Sequence, residues 1–128
     1  EIAARGGGTK ISSHIIPEMT DLDVNELLIR CALGETLTDI RFERKDQFVV
    51  LDFLIFPSGR VASVSGIDWL SSNRSIIDFG LNFRVGDTLY PPTDDRTRHG
   101  YFIARAPTRD AIDKICYDVR QVVKVQYE

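Results

Sequence analysis

The spacing of apolar and polar residues predicts a helix in the first third of the chain, from about residue 21 to residue 33. Apolar residues three and four positions apart would form one buried stripe on it, namely Val24, Leu27, Leu28 and Cys31. Thr20 or Asp21 would cap its start, and Gly34 is a favourable residue just past its end. This segment is therefore predicted to be a capped amphipathic helix.

The second half of the chain has the pattern of several strands and one helix. Residues 48–56 are almost all apolar, which is typical of a strand buried on both faces, and Asp52 is the polar exception. The turn that follows and residues 60–65 predict a hairpin with that strand. Further strands are predicted at residues 77–83, 101–105 and 122–127, and a helix that opens at Pro107 and Thr108 has an apolar stripe of Ile112, Ile115, Cys116 and Val119. Strands joined by short turns and covered by helices predict an α+β fold with an antiparallel sheet.

Composition, net charge and hydropathy restrict the classes of protein to which the chain can belong. With 128 residues, 43% of them hydrophobic and 27% charged, the chain has the balance of a globular protein. A net charge of −3 argues against a general nucleic-acid-binding protein, which needs a basic surface to displace counterions. No apolar run approaches the roughly 18–20 residues that span a bilayer, so no membrane partner is predicted and the cytoplasm is the expected location.

A polar stretch of mixed charge, residues 35–47, separates the predicted helix from the strands. We place the boundary between two structural pieces inside it. Residues 1–40 would form the first piece and residues 41–128 a small α+β domain, because the strand and helix patterns of the second half are continuous.

The strongest candidates for functional-site residues lie in the first eight residues, EIAARGGG. On a strand, Glu1, Ala3 and Arg5 would share one face. A carboxylate can hold Mg²⁺ while a guanidinium two steps away contacts the same polyphosphate directly. Three glycines would let the backbone approach a ligand closely with its N–H groups inward. The alternative is an exposed salt-bridged strand end followed by a flexible linker.

This stretch resembles the last catalytic strand of the ATP-grasp superfamily, in the carboxylate–amine ligase branch that includes amino-acid ligases and relatives of biotin carboxylase and carbamoyl-phosphate synthetase. The family motif is Glu-x-Asn/Ala-x-Arg followed by glycines. The resemblance implies that Glu1 binds Mg²⁺, that Arg5 is the catalytic phosphate contact, and that the backbone around ATP comes from Arg5, Gly6, Gly7 and Gly8. Ala3 stands where many members have Asn as a second metal ligand.

Further stretches extend the resemblance over nearly the whole chain. The helix predicted within residues 21–35 ends in CALGE, as the helix after the family motif often closes with Ala-Leu-Gly. The sequences VGD at residues 85–87, RHGY at 98–101 and TRDA at 108–111 are similar to three features of the family's C-terminal domain, in the same order. Those features are a Gly-Asp turn, an Arg-x-Gly-Tyr strand start and a Thr-x-x-Ala helix start.

The resemblance implies a function as well as a fold. The chain would be the C-terminal portion of an ATP-grasp fold and a fragment of an ATP-dependent ligase. Such a ligase joins a small-molecule carboxylate to an amine through an acyl phosphate, with ATP and Mg²⁺ as cofactors. Upstream ATP-grasp segments would be its structural partner, and the chain alone would be inactive.

The residues alone are compatible with two other functions. The chain could be a non-catalytic α+β interaction domain that docks a partner through the strand at residues 77–83. It could instead be a different metal- or phosphate-dependent enzyme that uses Asp52, Asp94 or Asp95. The two adjacent aspartates lie in a proline-containing loop, a composition that is also typical of a rigid exposed connection.

Overall fold

The computed structural model describes residues 8–128, and within these residues the strands form two three-stranded antiparallel sheets. The helices are α1 (Ile16–Met19), α2 (Val24–Ala32), α3 (Ile67–Ser72) and α4 (Arg109–Val122). The strands are β1 (Phe48–Leu54), β2 (Gly59–Ser65), β3 (Ile76–Leu81), β4 (Thr88–Leu89), β5 (Gly100–Ala106) and β6 (Lys124–Tyr127). A π-helical turn, Ile11–Ile15, precedes α1, and a 3₁₀ turn, Asp95–Thr97, precedes β5. The predicted α+β class is confirmed.

The first sheet has the order β1-β5-β3, so β5 lies at its centre. Phe102, Ile103 and Ala104 of β5 are completely buried, which explains why this strand has a continuous apolar run. The sheet packs against α4, where Thr108 accepts a hydrogen bond from the backbone N–H of Ala111 at 3.2 Å and caps the helix. Val119 on the inner face of α4 is also fully buried. The predicted helix, its cap and its buried face are thus present.

The second sheet has the order β4-β2-β6, and this corrects one prediction. The expected hairpin between β1 and β2 is wrong, because the two strands belong to different sheets: β1 pairs with β5, whereas β2 pairs with β4 and β6. The connection between them is tied to β6, since the Tyr127 hydroxyl donates to the Pro57 carbonyl at 2.6 Å. The chain therefore passes from one sheet to the other instead of folding back on itself.

Helix α2 also differs from its prediction. It begins later, after Asp23, whose carboxylate accepts hydrogen bonds from the backbone N–H groups of Asn25 and Glu26 at 2.9 and 3.0 Å. None of its residues is buried, and Leu28 and Ile29 are more than half exposed. The prediction of a buried stripe is therefore wrong for the described residues, because Val24 and Leu27 are only half-buried and Leu28 and Cys31 are exposed.

A buried histidine fixes the connection into β5. The Nδ1 atom of His99 accepts a hydrogen bond from the Phe56 N–H at 2.9 Å, so its Nε2 carries the proton and donates to the Tyr90 carbonyl at 2.8 Å. The ring stacks on Phe56 with an interplanar angle of 12° and meets Phe83 edge-on. His99 is only 5% exposed, so both hydrogen bonds are shielded from water. The residue thus joins three separate segments.

Replacing His99 with alanine is expected to lower the free energy of unfolding by about 2–4 kcal/mol, because the change opens a cavity and leaves two backbone groups without partners. The measurement is chemical denaturation followed by circular dichroism. The matched variant His14→Ala, at a partly exposed site, is expected to change stability by less than about 1 kcal/mol. Equal losses in the two variants would contradict a structural role specific to His99.

In the described part of the chain, no helix combines the length and the apolar character needed to cross a membrane.

Candidate functional site

The residues that the sequence places in a nucleotide site lie mostly outside the described part of the chain. Glu1, Arg5, Gly6 and Gly7 precede it, and Gly8 is the first residue described. Gly8 is exposed, and apart from its chain neighbours no atom of the described residues lies within 4 Å of the position that a Cβ would occupy there. The backbone at the end of the glycine run is therefore open to a ligand.

The two residues after Gly8 adopt an uncommon backbone conformation. Thr9 has a φ of 55° and Lys10 a φ of 58°, both in the left-handed region. This region costs an ordinary residue about 1–2 kcal/mol, and a β-branched residue such as Thr is a particular outlier there. The π-helical turn Ile11–Ile15 begins at the next residue. Left-handed residues followed by a π-helical turn are features that occur often at functional sites.

A polar cluster, which we call the Asp78 cluster, connects this turn to the first sheet. It consists of Asp78, Lys10, His14 and Tyr101. The Lys10 Nζ donates a hydrogen bond to the Asp78 carboxylate, and the Tyr101 hydroxyl donates to Asp78 Oδ2 at 2.9 Å. The His14 Nε2 lies 3.8 Å from the same oxygen, and the Lys10 Nζ lies 4.9 Å from the centre of the Tyr101 ring. One carboxylate thus receives groups from two distant parts of the chain.

The electrostatics of the Asp78 cluster favour its charged form. Partial burial would by itself raise the pKa of the Asp78 carboxyl, but hydrogen bonds from Lys10 and Tyr101 outweigh it, so the pKa is lowered. The hydrogen bond to Asp78 raises the pKa of the Lys10 ammonium. Both members of the ion pair are therefore held in their charged states around neutral pH.

The contribution of Asp78 to stability is expected to depend on pH with a defined sign. Because its folded-state pKa is lowered, the contribution is present above about pH 4 and is lost as the pH falls through the folded-state pKa. Because the pKa of Lys10 is raised, its own contribution is present below about pH 10 and is lost as the pH rises through the folded-state pKa. The ion pair between Asp78 and Lys10 is thus intact between about pH 4 and about pH 10.

The measurement is thermal unfolding of the wild type and of Asp78→Asn across the pH range. The difference in Tm is expected to be constant from about pH 5 to 9 and to shrink below pH 4. Asp113→Asn, which removes a more exposed carboxylate paired with Arg109, provides the control for a general charge effect. A Tm difference for Asp78→Asn that grows as the pH falls would contradict the assignment.

The other carboxylates proposed from the sequence have structural roles. Asp52 forms an ion pair with Arg120 of α4 and accepts a hydrogen bond from the Phe53 N–H at 2.8 Å, and its side chain is partly buried. The Asp94 carboxylate accepts from the Arg96 N–H at 2.8 Å and caps the 3₁₀ turn. These hydrogen bonds, the backbone one from Arg96 foremost, lower the pKa of Asp94.

The neighbouring Asp95 pairs with Arg98 at 2.5 Å, so the two adjacent carboxylates have different partners. Within residues 8–128 there is no group of three or more His, Cys, Asp or Glu side chains that could hold a metal ion. The described residues therefore do not fit a magnesium centre by themselves. If Mg²⁺ binds to this chain as the resemblance implies, Glu1 is the residue to hold it.

Sequence reasoning missed Asp78 and Tyr101 as parts of a site. Asp78 lies on the strand predicted at residues 77–83, and it is 68 positions from Lys10. Among the described strands, β3 is at the edge of its sheet, which is compatible with the alternative interaction-domain hypothesis. The sequence contains no local signal that Lys10 and Asp78 lie close together, because the tertiary fold brings them together.

Comparison with known proteins gives three results. The family model for L-amino acid ligase C-terminal domain 2 matches residues 52–128. The crystal structure of L-amino acid ligase from Bacillus licheniformis superposes on 98% of this chain with a TM-score of 0.81 and 16% sequence identity, over 31% of its own length. Phosphoribosylglycinamide synthetase from Anaerococcus prevotii matches 64% of this chain with a TM-score of 0.50 and 12% identity, over 20% of its length.

The chain thus spans less than a third of either of these enzymes. No curated protein shows a significant sequence match to it. At these identities the two crystal structures establish the fold, and the family model establishes the sequence relationship over more than half of the chain.

Proposed function

This chain belongs to the family of L-amino acid ligase C-terminal domain 2, and on that premise we propose that it is the C-terminal part of an ATP-dependent ligase that joins a carboxylate to an amine. The resemblance to the C-terminal part of an ATP-grasp ligase, predicted from the sequence, is confirmed. The observation that carries the proposed activity is the family match over residues 52–128. The match of the fold to an L-amino acid ligase along nearly the whole chain supports it.

The proposed nucleotide site is the stretch Glu1–Gly8. Glu1 would hold Mg²⁺, and Arg5 would contact the ATP phosphates with its guanidinium, which stabilises negative charge that develops on the phosphoryl oxygens. Gly6, Gly7 and Gly8 would offer backbone N–H groups to the phosphates. The open space around Gly8 supports close approach of a ligand at that end of the run.

ATP, when bound, would donate its γ-phosphoryl group to the substrate carboxylate with ADP as the leaving group, and the amine would then displace phosphate from the acyl phosphate; Mg²⁺ would offset the charge on the phosphoryl oxygens. The contribution of this chain is positioning and charge. Arg5 would orient the phosphates and balance their charge, and the glycine backbone would donate N–H groups to them. Such chemistry depends on electrostatic stabilisation more than on a protein nucleophile.

The partner that we propose for this chain is the upstream part of the same ligase. L-amino acid ligase from Bacillus licheniformis is about three times as long as the matching region. Exposed apolar residues on and just after α2 fit such a partner, since Leu28, Ile29 and Leu33 are 53%, 61% and 76% exposed in the described chain. Residues 1–40 would then complete the catalytic part and residues 41–128 would form a separate C-terminal domain, in the cytoplasm. The chain alone would be inactive.

The test uses the complete protein of which we propose this chain forms part. Phosphate release from ATP is measured with Mg²⁺ and pairs of L-amino acids, and the ligated product is identified by mass spectrometry. The expected result is ADP, phosphate and product in equal amounts, with no turnover by residues 1–128 alone. Failure of every amino acid and carboxylate pair to give ATP-dependent product would overturn the proposal.

A further inference from the structure

We propose that Asp78 is a positioning residue: from strand β3 it holds Lys10, and it thereby fixes the left-handed turn of Thr9 and Lys10 that directly follows the glycine run. The structural part of this inference stands on the described residues. Its consequence for ATP rests on the function proposed above. Asp78 itself would touch neither substrate nor cofactor.

The left-handed turn of Thr9 and Lys10 needs support from residues outside the turn. Neither Thr9 nor Lys10 is a glycine or an asparagine, the residues that accept a positive φ at low cost. Within the described residues, three backbone hydrogen bonds involve this turn: the Ile11 N–H donates to the Gly8 carbonyl at 3.3 Å, and the His14 and Ile15 N–H groups donate to the Lys10 carbonyl at 3.0 and 3.3 Å. A conformation of this kind persists when surrounding structure holds it in place.

The carboxylate of Asp78 is well placed to provide that support. Its strand pairs with the fully buried centre of the sheet, where Phe79 lies opposite Phe102. The register of β3 shifts between Ile76 and Asp78, and a bulge of this kind changes the direction of a side chain next to it. The direction of Asp78 is therefore set by the sheet.

Tyr101 orients the same carboxylate from the neighbouring strand. Its hydroxyl donates to Asp78, and its ring lies against Gly80, where a Cβ would come within 2.8 Å of the ring. Gly80 and Tyr101 are direct cross-strand partners. Glycine at position 80 thus leaves room for the Tyr101 ring. The Tyr101 hydroxyl in turn orients the Asp78 carboxylate, which accepts the hydrogen bond from Lys10.

The contact between Lys10 and Asp78 lies close to the glycines. Another ion pair joins the first segment to the sheet, between Glu18 and Arg105 at 2.6 Å, but it lies beyond the π-helical turn. Lys10 is two residues from Gly8, within the left-handed turn itself. Loss of the Asp78 contact is therefore expected to change the conformation of the turn while α1 stays attached to the sheet.

The first experiment measures the backbone of the 128-residue chain by NMR. The Thr9 and Lys10 ¹³C shifts and HN–Hα couplings report the left-handed population in the wild type, Asp78→Asn, Lys10→Gln and the double variant. A several-fold fall in that population is expected in each single variant, with little further change in the double variant, because both remove one contact. Asp113→Asn, which removes a carboxylate on α4, is expected to leave the turn unchanged.

Lys10 is partly exposed, so Lys10→Gln leaves the core of the protein intact even if a substitution in β3 disturbs the sheet. Persistence of the left-handed signals in Lys10→Gln and Asp78→Asn would overturn the proposal. So would an equal loss in Asp113→Asn, which would mean that the turn responds to any change of charge.

The second experiment measures ligation kinetics of the complete protein. Asp78→Asn is expected to raise the KM for ATP about five- to tenfold, with a smaller effect on the KM for the amine, whereas Asp113→Asn should match the wild type. Loss of the left-handed turn without any change in the KM for ATP would overturn the positioning role. If the wild-type protein uses no ATP, the proposed function fails, and the structural link between Asp78 and the turn is decided by the NMR result alone.

Discussion

Replacing Arg5 with alanine is expected to lower kcat/KM for ATP-dependent ligation by the complete protein about 100- to 1,000-fold. A fixed charged donor aimed at a phosphoryl group in a water-poor site commonly contributes this much, because it stabilises charge that develops in the transition state. Arg5→Lys keeps the charge but loses the planar pair of donors, so an intermediate loss is expected. The measurement is steady-state phosphate release at varied ATP concentration.

The control for this prediction is Arg109→Ala. Arg109 is an exposed arginine at the start of α4 that pairs with Asp113, far along the chain from the glycine run. Its removal is expected to change kcat/KM by no more than about twofold, since exposed ion pairs of this kind contribute little. Similar activities for the Arg5 and Arg109 variants would show that Arg5 makes no special contact with the phosphates.

Replacing Gly66 with alanine is expected to lower the free energy of unfolding by at least about 3 kcal/mol. Gly66 precedes α3 and has a φ of +88°, which a residue with a Cβ adopts at a cost. An added Cβ would also lie 2.4 Å from the carbonyl oxygen of Val122, at the end of α4. Backbone atoms cannot move aside as a side chain can, so the start of α3 and the end of α4 would have to separate.

Gly86→Ala separates the two causes of that loss. Gly86 has a similar φ of +95°, but apart from its chain neighbours no atom in residues 8–128 lies within 4 Å of the position of its missing Cβ. Its substitution should therefore cost only the conformational term, about 1–2 kcal/mol. Chemical denaturation of both variants followed by circular dichroism gives the difference. Equal destabilisation would contradict the close approach of the two helices at Gly66.

The elements that the sequence predicted well are those whose signals are local. Helix α4 has an apolar stripe at helical spacing and a Thr108 cap directly before it, so its presence and its inner face could both be predicted. Strand β3 has clear alternation, and its observed bounds of Ile76–Leu81 overlap the predicted stretch. The Gly86 turn after it was also indicated by its Gly-Asp sequence, and its φ is positive.

The features that the sequence did not predict depend on contacts between distant residues. The patterns of β1 and β2 identify strands but do not say which strand lies beside which, so the expected hairpin was wrong. The apolar face of α2 was predicted to be buried, because periodicity indicates that a face is apolar but not what covers it. The Asp78 cluster brings together residues 68 positions apart.

The candidate nucleotide site came from resemblance and not from periodicity. The order of Glu1, Arg5 and the glycines is what linked the chain to ATP-dependent ligases, and the family match over residues 52–128 supports that link from the other end of the chain. The roles of Glu1 and Arg5 stay predictions, since both residues lie outside the described part. The described residues add the turn at Thr9 and its connection to Asp78.

The most direct test of the account is a titration of the complete protein with ATP and Mg²⁺, in which NMR follows the labelled amides of Arg5, Gly6, Gly7 and Gly8. Metal-free ATP and ADP provide the controls. The account predicts saturable shifts of these amides that require Mg²⁺ and follow the same binding curve as calorimetry. Calorimetric binding of ATP without any shift of these amides, or no binding at all, would contradict a nucleotide site at this stretch.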